Sequence, residues 1–470
     1  MHDLKTLTSG GYKDDGLARL KLNCPLDSFP LEILELGQTL EQLDLSGTGL
    51  SSLPSNFGAR LPCLKIAFFS QCAFTTFPRE LASCPQLEMV AFRGNGMTTI
   101  DEDALPPRLR WLILTDNQLK SLPRSIGKCS RLQKCMLAGN HLNSLPEEMR
   151  ECKKLGLLRL SANRLAALPG WLFEMPELAF LSFAGNPCST TLADVDKAAN
   201  GNGDTRTNGT NGAQKGDQGL AHVSWFDLEV HEILGQGASG IISKGFWRLG
   251  SETNVPVAIK LFKGTLTSDG TPEDEMAACI AAGQHENIID VLGRIRDHPD
   301  EEKGSFKGGL VMQLIPPQYT TLGQPPSLDT CTRDNYPADA RLSLDTALNI
   351  LKGIAQAAVH LHSKGIAHGD LYAHNILTDG NHALLGDFGA ATVYGRYETP
   401  LVEGLEVLAF AHLIEDVMGL VPHEKEHAHV RELLQDLHGR CSSSQNTTRP
   451  RFENIMEELK RVSLRQSHVS

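Results

Sequence analysis

The sequence predicts two architectures in series, an α/β solenoid over residues 15–188 and then an α+β two-lobed fold over residues 222–465. Three observations carry this expectation. A short leucine pattern recurs at near-constant spacing through the first half, the signature of a solenoid. A segment almost free of apolar residues, 189–221, interrupts the chain. Beyond it a glycine-rich turn runs into β-branched strands, and a long apolar helical stretch follows.

The repeat element is L-x-x-L-x-L, beginning at Leu17, Leu40, Leu64, Leu87, Leu109, Leu132, Leu155 and Leu178 with spacings of 22 to 24 residues. Eight residues after the start come Thr48, Cys72, Asn95, Asn117, Asn140, Asn163 and Asn186, while the first repeat, a residue short, offers Cys24. This half resembles leucine-rich repeats, about eight of them. The resemblance implies that the Asn or Cys side chain donates to backbone carbonyls that stacking would otherwise bury unpaired. Each repeat continues with a stretch such as "LSSLP" or "LKSLP", which gives a second apolar face behind the strand. Cys84, Cys129 and Cys152 each precede a starting Leu by three residues, so they read as buried packing sites and not as a disulfide or zinc framework. The residues between the repeat leucines are Glu41 and Asp44 early, then Arg110, Trp111, Ile113, Lys134, Met136, Leu157, Arg159 and Phe180. They are expected on the concave face. The apolar ones, with Trp111, Met136, Arg159 and Phe180 as the candidate contact residues, mark a docking patch for a protein partner or for the following domain.

At 470 residues the chain is too long for one ordinary core, so two or three domains are expected. A formal net charge of −12, with no Lys/Arg cluster, argues against nucleic-acid binding. The N-terminal tail, residues 1–14, shows no secretory pattern, and no stretch approaches the length of a membrane span. A cytoplasmic protein is therefore expected, its 11 cysteines reduced. The segment 189–221 cannot offset its ordering entropy and reads as a flexible linker, with the two halves tethered rather than fused. The Asn208 sequon within it is then idle.

In "ILGQGASGIISKGFW", Gly235, Gly237 and Gly240 form G-x-G-x-x-G. A dinucleotide site would need a helix next, whereas "IISKGFW" reads as a strand, so a hairpin over a nucleotide's phosphates fits better. "VPVAIKLF" contains V-A-I-K, a protein kinase signature that places Lys260 on the α- and β-phosphates. Its acidic partner should come from the next helix. Glu275 is chosen there, with Glu273 and Asp274 as rivals. "HGDLYAHN" (368–375) matches the catalytic-loop pattern H-R-D-L-x-x-x-N apart from Gly369, and "DFG" follows a two-strand hairpin turning at Asp379-Gly380.

On these motifs, residues 226–465 resemble the eukaryotic-type protein kinases, and the whole chain resembles soluble leucine-rich repeat protein kinases. "HGDLYAHN", "DFGAA" and "LEVLAFAHLIEDV" are similar to a divergent subgroup of these. The resemblance implies ATP and Mg²⁺ as cofactors, with Asp370 orienting and deprotonating the attacking hydroxyl and Asn375 and Asp387 as metal ligands. It also implies an ATP site with Ile242, Ala258, Met312, Gln313, Ile315 and Leu377 beside the glycines and Lys260. The stretch 316–340 is an insertion of unassigned role.

Several positions depart from the family pattern. Gly369 stands where an Arg would bind a phosphorylated activation loop, so activity without such phosphorylation is expected. Tyr372 stands where Lys would stabilise the transferring phosphoryl group, and a phenol carries no positive charge. His374 is where tyrosine kinases tend to have Arg, so Ser/Thr specificity rests on the broader resemblance. No A-P-E motif appears. Arg449 resembles the Arg that pairs with its Glu, a role left to Glu403 or Glu398. "HEKEH" (423–427) matches a zinc-protease pattern but lacks an apolar helical face, so a solvated segment is expected. Two functions stay open: a protein kinase acting on protein substrates, its repeats choosing or tethering partners, and a pseudokinase scaffold working through the repeats.

Overall fold

The computed structural model describes residues 2–466 apart from 14, 191–219, 238, 251–252, 302, 304–305, 307 and 396–398. The predicted linker, with Asn208, lies almost wholly outside the described residues, as does Glu398.

The repeat leucines give eight three-residue strands: β1 (Arg19–Lys21), β2 (Gln42–Asp44), β3 (Ile66–Phe68), β4 (Met89–Ala91), β5 (Trp111–Ile113), β6 (Lys134–Met136), β7 (Leu157–Arg159) and β8 (Phe180–Ser182). They form one parallel sheet in chain order. Alternation sets the faces: the central residue of each strand, such as Leu43, Leu112 and Leu158, enters the repeat core. Two short helices, α1 (Leu4–Thr8) and α2 (Phe57–Arg60), lie early in this half. In later repeats Pro78, Pro123, Pro146 and Pro169 each open a 3-10 turn, a place where a missing N–H costs nothing.

The asparagine ladder forms as the repeat pattern implies. Asn163 Nδ2 donates to the Leu137 and Leu160 carbonyls, each at 2.9 Å, and its Oδ1 accepts from Leu142 N at 3.0 Å. Asn140 and Asn186 repeat the arrangement. Asn163→Ala strands the buried Leu142 N–H, while the Leu137 and Leu160 carbonyls keep the Asn140 and Asn186 donors, and is expected to cost about 2 kcal/mol. A urea titration of the full chain measures this, and a loss under about 1 kcal/mol would mean the ladder is not a main support. All eleven cysteines are free thiols. Burial pushes Cys129 up to about 11 and Cys84 and Cys152 up to about 12, as inert packing groups should be.

The second half opens with a six-stranded sheet of β9 (Ala221–Ser224), β10 (Leu228–Gln236), β11 (Gly240–Leu249), β12 (Thr253–Phe262), β13 (Val291–Arg296) and β14 (Gly309–Gln313), ordered β10-β11-β12-β14-β13-β9. Helix α3 (Pro272–Ala282) starts at Thr271, whose hydroxyl accepts from Asp274 N at 3.1 Å. Strand β15 (Thr320–Thr321) pairs with the hairpin of β17 (Ile376–Thr378) and β18 (Ala383–Leu385), and β16 (Ile366–Ala367) pairs with β19 (Thr392–Val393), among four helices. These are α4 (Leu344–Ser363), α5 (Thr399–Leu420), α6 (Ala428–Cys441) and α7 (Phe452–Gln466). Gly380 takes φ +92° at the hairpin turn, as the Asp-Gly pair predicts.

The tethered arrangement expected of the halves is corrected by the structure, which joins them through buried contacts. Leu157, Ala179 and Phe180 of the repeats belong to the core of the second half, while Ala367, Tyr394, Val402 and Leu405 belong to the core of the first. Phe183 N donates to Thr392 Oγ1 at 3.1 Å, and Arg93 Nη2 to the Leu266 carbonyl at 2.9 Å. Every residue of β7 and β8 is consequently buried, whereas β2 and β5 bury only their central residue.

Candidate active site

The site forms between the six-stranded sheet and the helical lobe. Its cavity, about 260 Å³, is lined by Gly235, Gly237, Gly240, Ile242, Lys260, Glu275, Met312 and Asp387 of the predicted set. The lining also includes Cys279, Ile288, Ile289, Val291 and Phe388, which motif reasoning did not single out. Ala258, Gln313, Ile315 and Leu377 do not line it. Ala258 is buried within β12 opposite Met312, and Leu377 pairs with Leu384 inside the hairpin. Gln313 turns its side chain toward Asp290. Which of the predicted residues line this cavity follows from where the strands point, which a motif does not specify.

Lys260 on β12 pairs with Glu275 on α3, and neither Glu273 nor Asp274 takes that place. Asp274 instead accepts from the Thr271 hydroxyl at 2.6 Å. Burial works against the ammonium, but the Glu275 carboxylate, with Asp387 near it, holds the Lys260 pKa above its ordinary value.

The catalytic-loop sequence is fixed from several sides. His368 Nε2 donates to the Gly386 carbonyl at 2.8 Å, and Gly386 N donates to the Asn375 carbonyl at 2.9 Å, which draws the loop and "DFG" together. Asn375 Nδ2 donates to Asp370 Oδ2 at 3.0 Å. Asp387 sits at φ 52°, ψ 83°, a left-handed conformation that costs a non-glycine residue about 1–3 kcal/mol and gathers at functional sites. Buried Glu406 on α5 accepts from Gly369 N at 2.6 Å. An acidic residue inside the apolar run "LEVLAFAHLIEDV" was the available signal for this support.

Two features come from the repeats. Arg159 Nη2 donates to Asp370 Oδ1 at 2.5 Å, and Phe180 stacks on Tyr372 with centroids 3.8 Å apart. Burial works against the Asp370 charge, yet Arg159 beside it holds its carboxyl below the usual range. The insertion 316–340 also meets the repeats, since Trp111 Nε1 donates to Cys331 Sγ and Arg110 Nη2 to the Asp329 carbonyl. Met136 is half-buried, packed against the second half's core. The face carrying Trp111, Met136, Arg159 and Phe180, expected to take a partner or the following domain, is covered here by the following domain.

Arg449 is not paired with Glu403. It donates to the Gly404 and Ser443 carbonyls, each at 2.8 Å, whereas Glu403 accepts from Phe452 N at 2.8 Å, at the start of α7. A carboxylate satisfies an orphan donor there and is drawn away from the guanidinium. Of "HEKEH", residues 425–427 form a 3-10 turn, not a helix presenting both histidines on one face.

The comparisons agree with this geometry. The family "protein tyrosine and serine/threonine kinase" matches residues 228–403, and the leucine rich repeat family matches residues 107–165. Ephrin type-A receptor 8 of Homo sapiens is 30% identical over 169 residues, 35% of this chain and 15% of the receptor. A probable serine/threonine-protein kinase of Encephalitozoon cuniculi is 30% identical over 161 residues, 34% of this chain and 26% of the relative. The receptor-like serine/threonine-protein kinase SD1-7 of Arabidopsis thaliana is 32% identical over 171 residues, 35% of this chain and 18% of the relative. The chain thus spans well under a third of the length of these relatives. The chain contains a protein kinase domain, matched over residues 228–403, and leucine-rich repeats, matched over residues 107–165. Among the described residues no helix is long and apolar enough to cross a membrane.

A kinase domain implies ATP and a divalent metal. The donor set fits a metal held jointly with phosphate. Asp387 lines the cleft and Asn375, tied by its carbonyl to Gly386 N, lies on the adjoining loop, and no group of three or more His, Cys, Asp or Glu side chains among the described residues could hold an ion alone.

Proposed function

We propose that the chain is an ATP- and Mg²⁺-dependent protein kinase that transfers the γ-phosphate to protein hydroxyls, with serine and threonine favoured. The observation that carries this is the buried Lys260–Glu275 pair at the cleft, together with the Asp370–Asn375 contact. Lys260 would hold the α- and β-phosphates, and Asn375 and Asp387 would hold the metal, which neutralises charge on the phosphates when bound. Asp370 accepts the proton of the substrate hydroxyl as its oxygen bonds to the γ-phosphorus. The bond from that phosphorus to the bridging oxygen then breaks and ADP leaves. Relatives whose printed names include serine/threonine-protein kinase support the preference for those residues. A protein substrate, a protein partner for the repeats and a cytoplasmic setting belong to the same proposal.

A scaffold reading draws on one observation, the engagement of Asp370 by Arg159. The two are separated by transfer of labelled γ-phosphate from ATP to the chain itself and to generic Ser/Thr and Tyr peptides, with wild type beside Asp370→Ala. Transfer by wild type and a loss of at least about 100-fold in the variant are expected. If neither transfers phosphate while ATP·Mg²⁺ still raises the Tm, the scaffold reading replaces the kinase.

A further inference from the structure

Arg159 ends β7 and is 2% exposed, yet it lies 211 residues before the carboxylate it binds. Its guanidinium is used on every side. Nη2 donates to Asp370 Oδ1 at 2.5 Å, Nη1 to the Gly369 carbonyl at 2.9 Å, and Nε to Asp269 Oδ1 at 2.7 Å. A tie between the halves would need only Asp269, on the loop before α3. The other edge of the guanidinium is spent on the residue that the kinase reading makes the base, and on the carbonyl just before it.

Within the catalytic loop no cationic side chain hydrogen-bonds to Asp370, although His374 lies near enough to act on its charge. Position 372 is a buried tyrosine stacked on Phe180, and its hydroxyl has no hydrogen-bond partner. His374 turns to Asp334, with Nδ1 2.7 Å from Oδ1. The guanidinium arriving from the repeats therefore stands at the carboxylate beside which the family pattern places Lys. Resting on the kinase reading above, we infer that Arg159 of the repeat domain is a positioning residue for phosphoryl transfer, supplying in cis the positive charge that the catalytic loop lacks.

The carboxylate of Asp370 is gripped from both sides, Oδ1 by Arg159 and Oδ2 by Asn375. Each oxygen keeps a lone pair for the substrate hydroxyl. The rival is a lid, in which the same ion pair hides Asp370 from substrate. Two observations favour positioning. The Lys260–Glu275 pair is assembled while the repeats are docked. The docking also runs through shared apolar cores, with Phe180 inside one and Leu405 inside the other, which suits a permanent joint better than a reversible cover.

The test uses the full chain and a generic peptide that wild type phosphorylates. R159Q is expected to lower kcat about 100-fold while leaving KM for ATP and ATP affinity by calorimetry within about threefold. R159K, which keeps the charge, is expected to recover at least about tenfold of that loss. The double variant R159Q/D269N leaves no unpaired Asp269 to disturb folding, and the same loss is expected of it. A kcat for R159Q above wild type would show a lid, and an unchanged kcat a tie without catalytic consequence. R159K as slow as R159Q would show that charge is not what matters. Each of these overturns the inference, whereas absence of transfer in wild type overturns the kinase reading beneath it.

Discussion

Lys260→Met is expected to lower phosphoryl transfer by at least about 100-fold and to destabilise the fold in the same step. The Lys260 side chain is 10% exposed and that of Glu275 3% exposed. Removing one member of a buried ion pair leaves the other uncompensated, at a cost of about 3–5 kcal/mol. Glu275 would answer by taking up a proton, so the destabilisation should shrink as pH falls. Lys260→Met/Glu275→Gln should restore much of the stability and none of the transfer, which separates the two effects. Urea titration and the phosphate-transfer assay measure them. A single variant that keeps transfer within about tenfold of wild type would remove Lys260 from the phosphate site.

Gly369→Arg, which installs the residue of the family pattern, is expected to damage the protein rather than improve it. Gly369 sits at φ +72°, and a Cβ there would lie 2.5 Å from the Ala390 carbonyl oxygen and 2.8 Å from that of Leu181 on β8. The left-handed backbone alone costs an L-residue about 1–2 kcal/mol. The two backbone oxygens cannot swing aside as a side chain could, so a total loss of about 3 kcal/mol or more is expected. Gly369→Ala should show most of it, because the clash begins at Cβ. Thermal unfolding of both variants measures this, and a Tm within about 1 °C of wild type for Gly369→Ala would mean that β8 yields. The departure at position 369 thus has a structural cause: the repeat strand comes too close for any side chain.

What could be read in the sequence was what is local or periodic. The leucine spacing gave the order of strands β1 to β8, and the Asn positions gave the ladder, because each repeat restates the same geometry. V-A-I-K and "HGDLYAHN" pointed to Lys260, Asp370 and Asn375 for the same reason, and the structure brings the first beside Glu275 and the other two into contact. Glu275 emerged from three neighbouring acids only once α3 fixed which of them faces β12. The pairings that escaped are long-range and leave no periodic trace. Arg159 looks like any exposed charge on a repeat face, and only the docked kinase half reveals Asp370 beside it. Glu403 and Arg449 were matched by analogy, but Glu403 is captured by the α7 N-terminus. The polar stretch between the halves suggested independence because composition describes the linker, not the surfaces it joins.

The stacking of Phe180 on Tyr372 bears on how such a chain can be inherited. Each ring covers the other, so removing one opens an aromatic face, that of Tyr372 beside Asp370 or that of Phe180 at the end of the repeat sheet. A kinase half acquired without these repeats would carry Gly369 and Tyr372 as uncompensated losses, and the repeats alone would carry Arg159 with no acid to neutralise it. A substitution on the repeat surface at Phe180 or Arg159 is therefore also a change beside Asp370 in the other half.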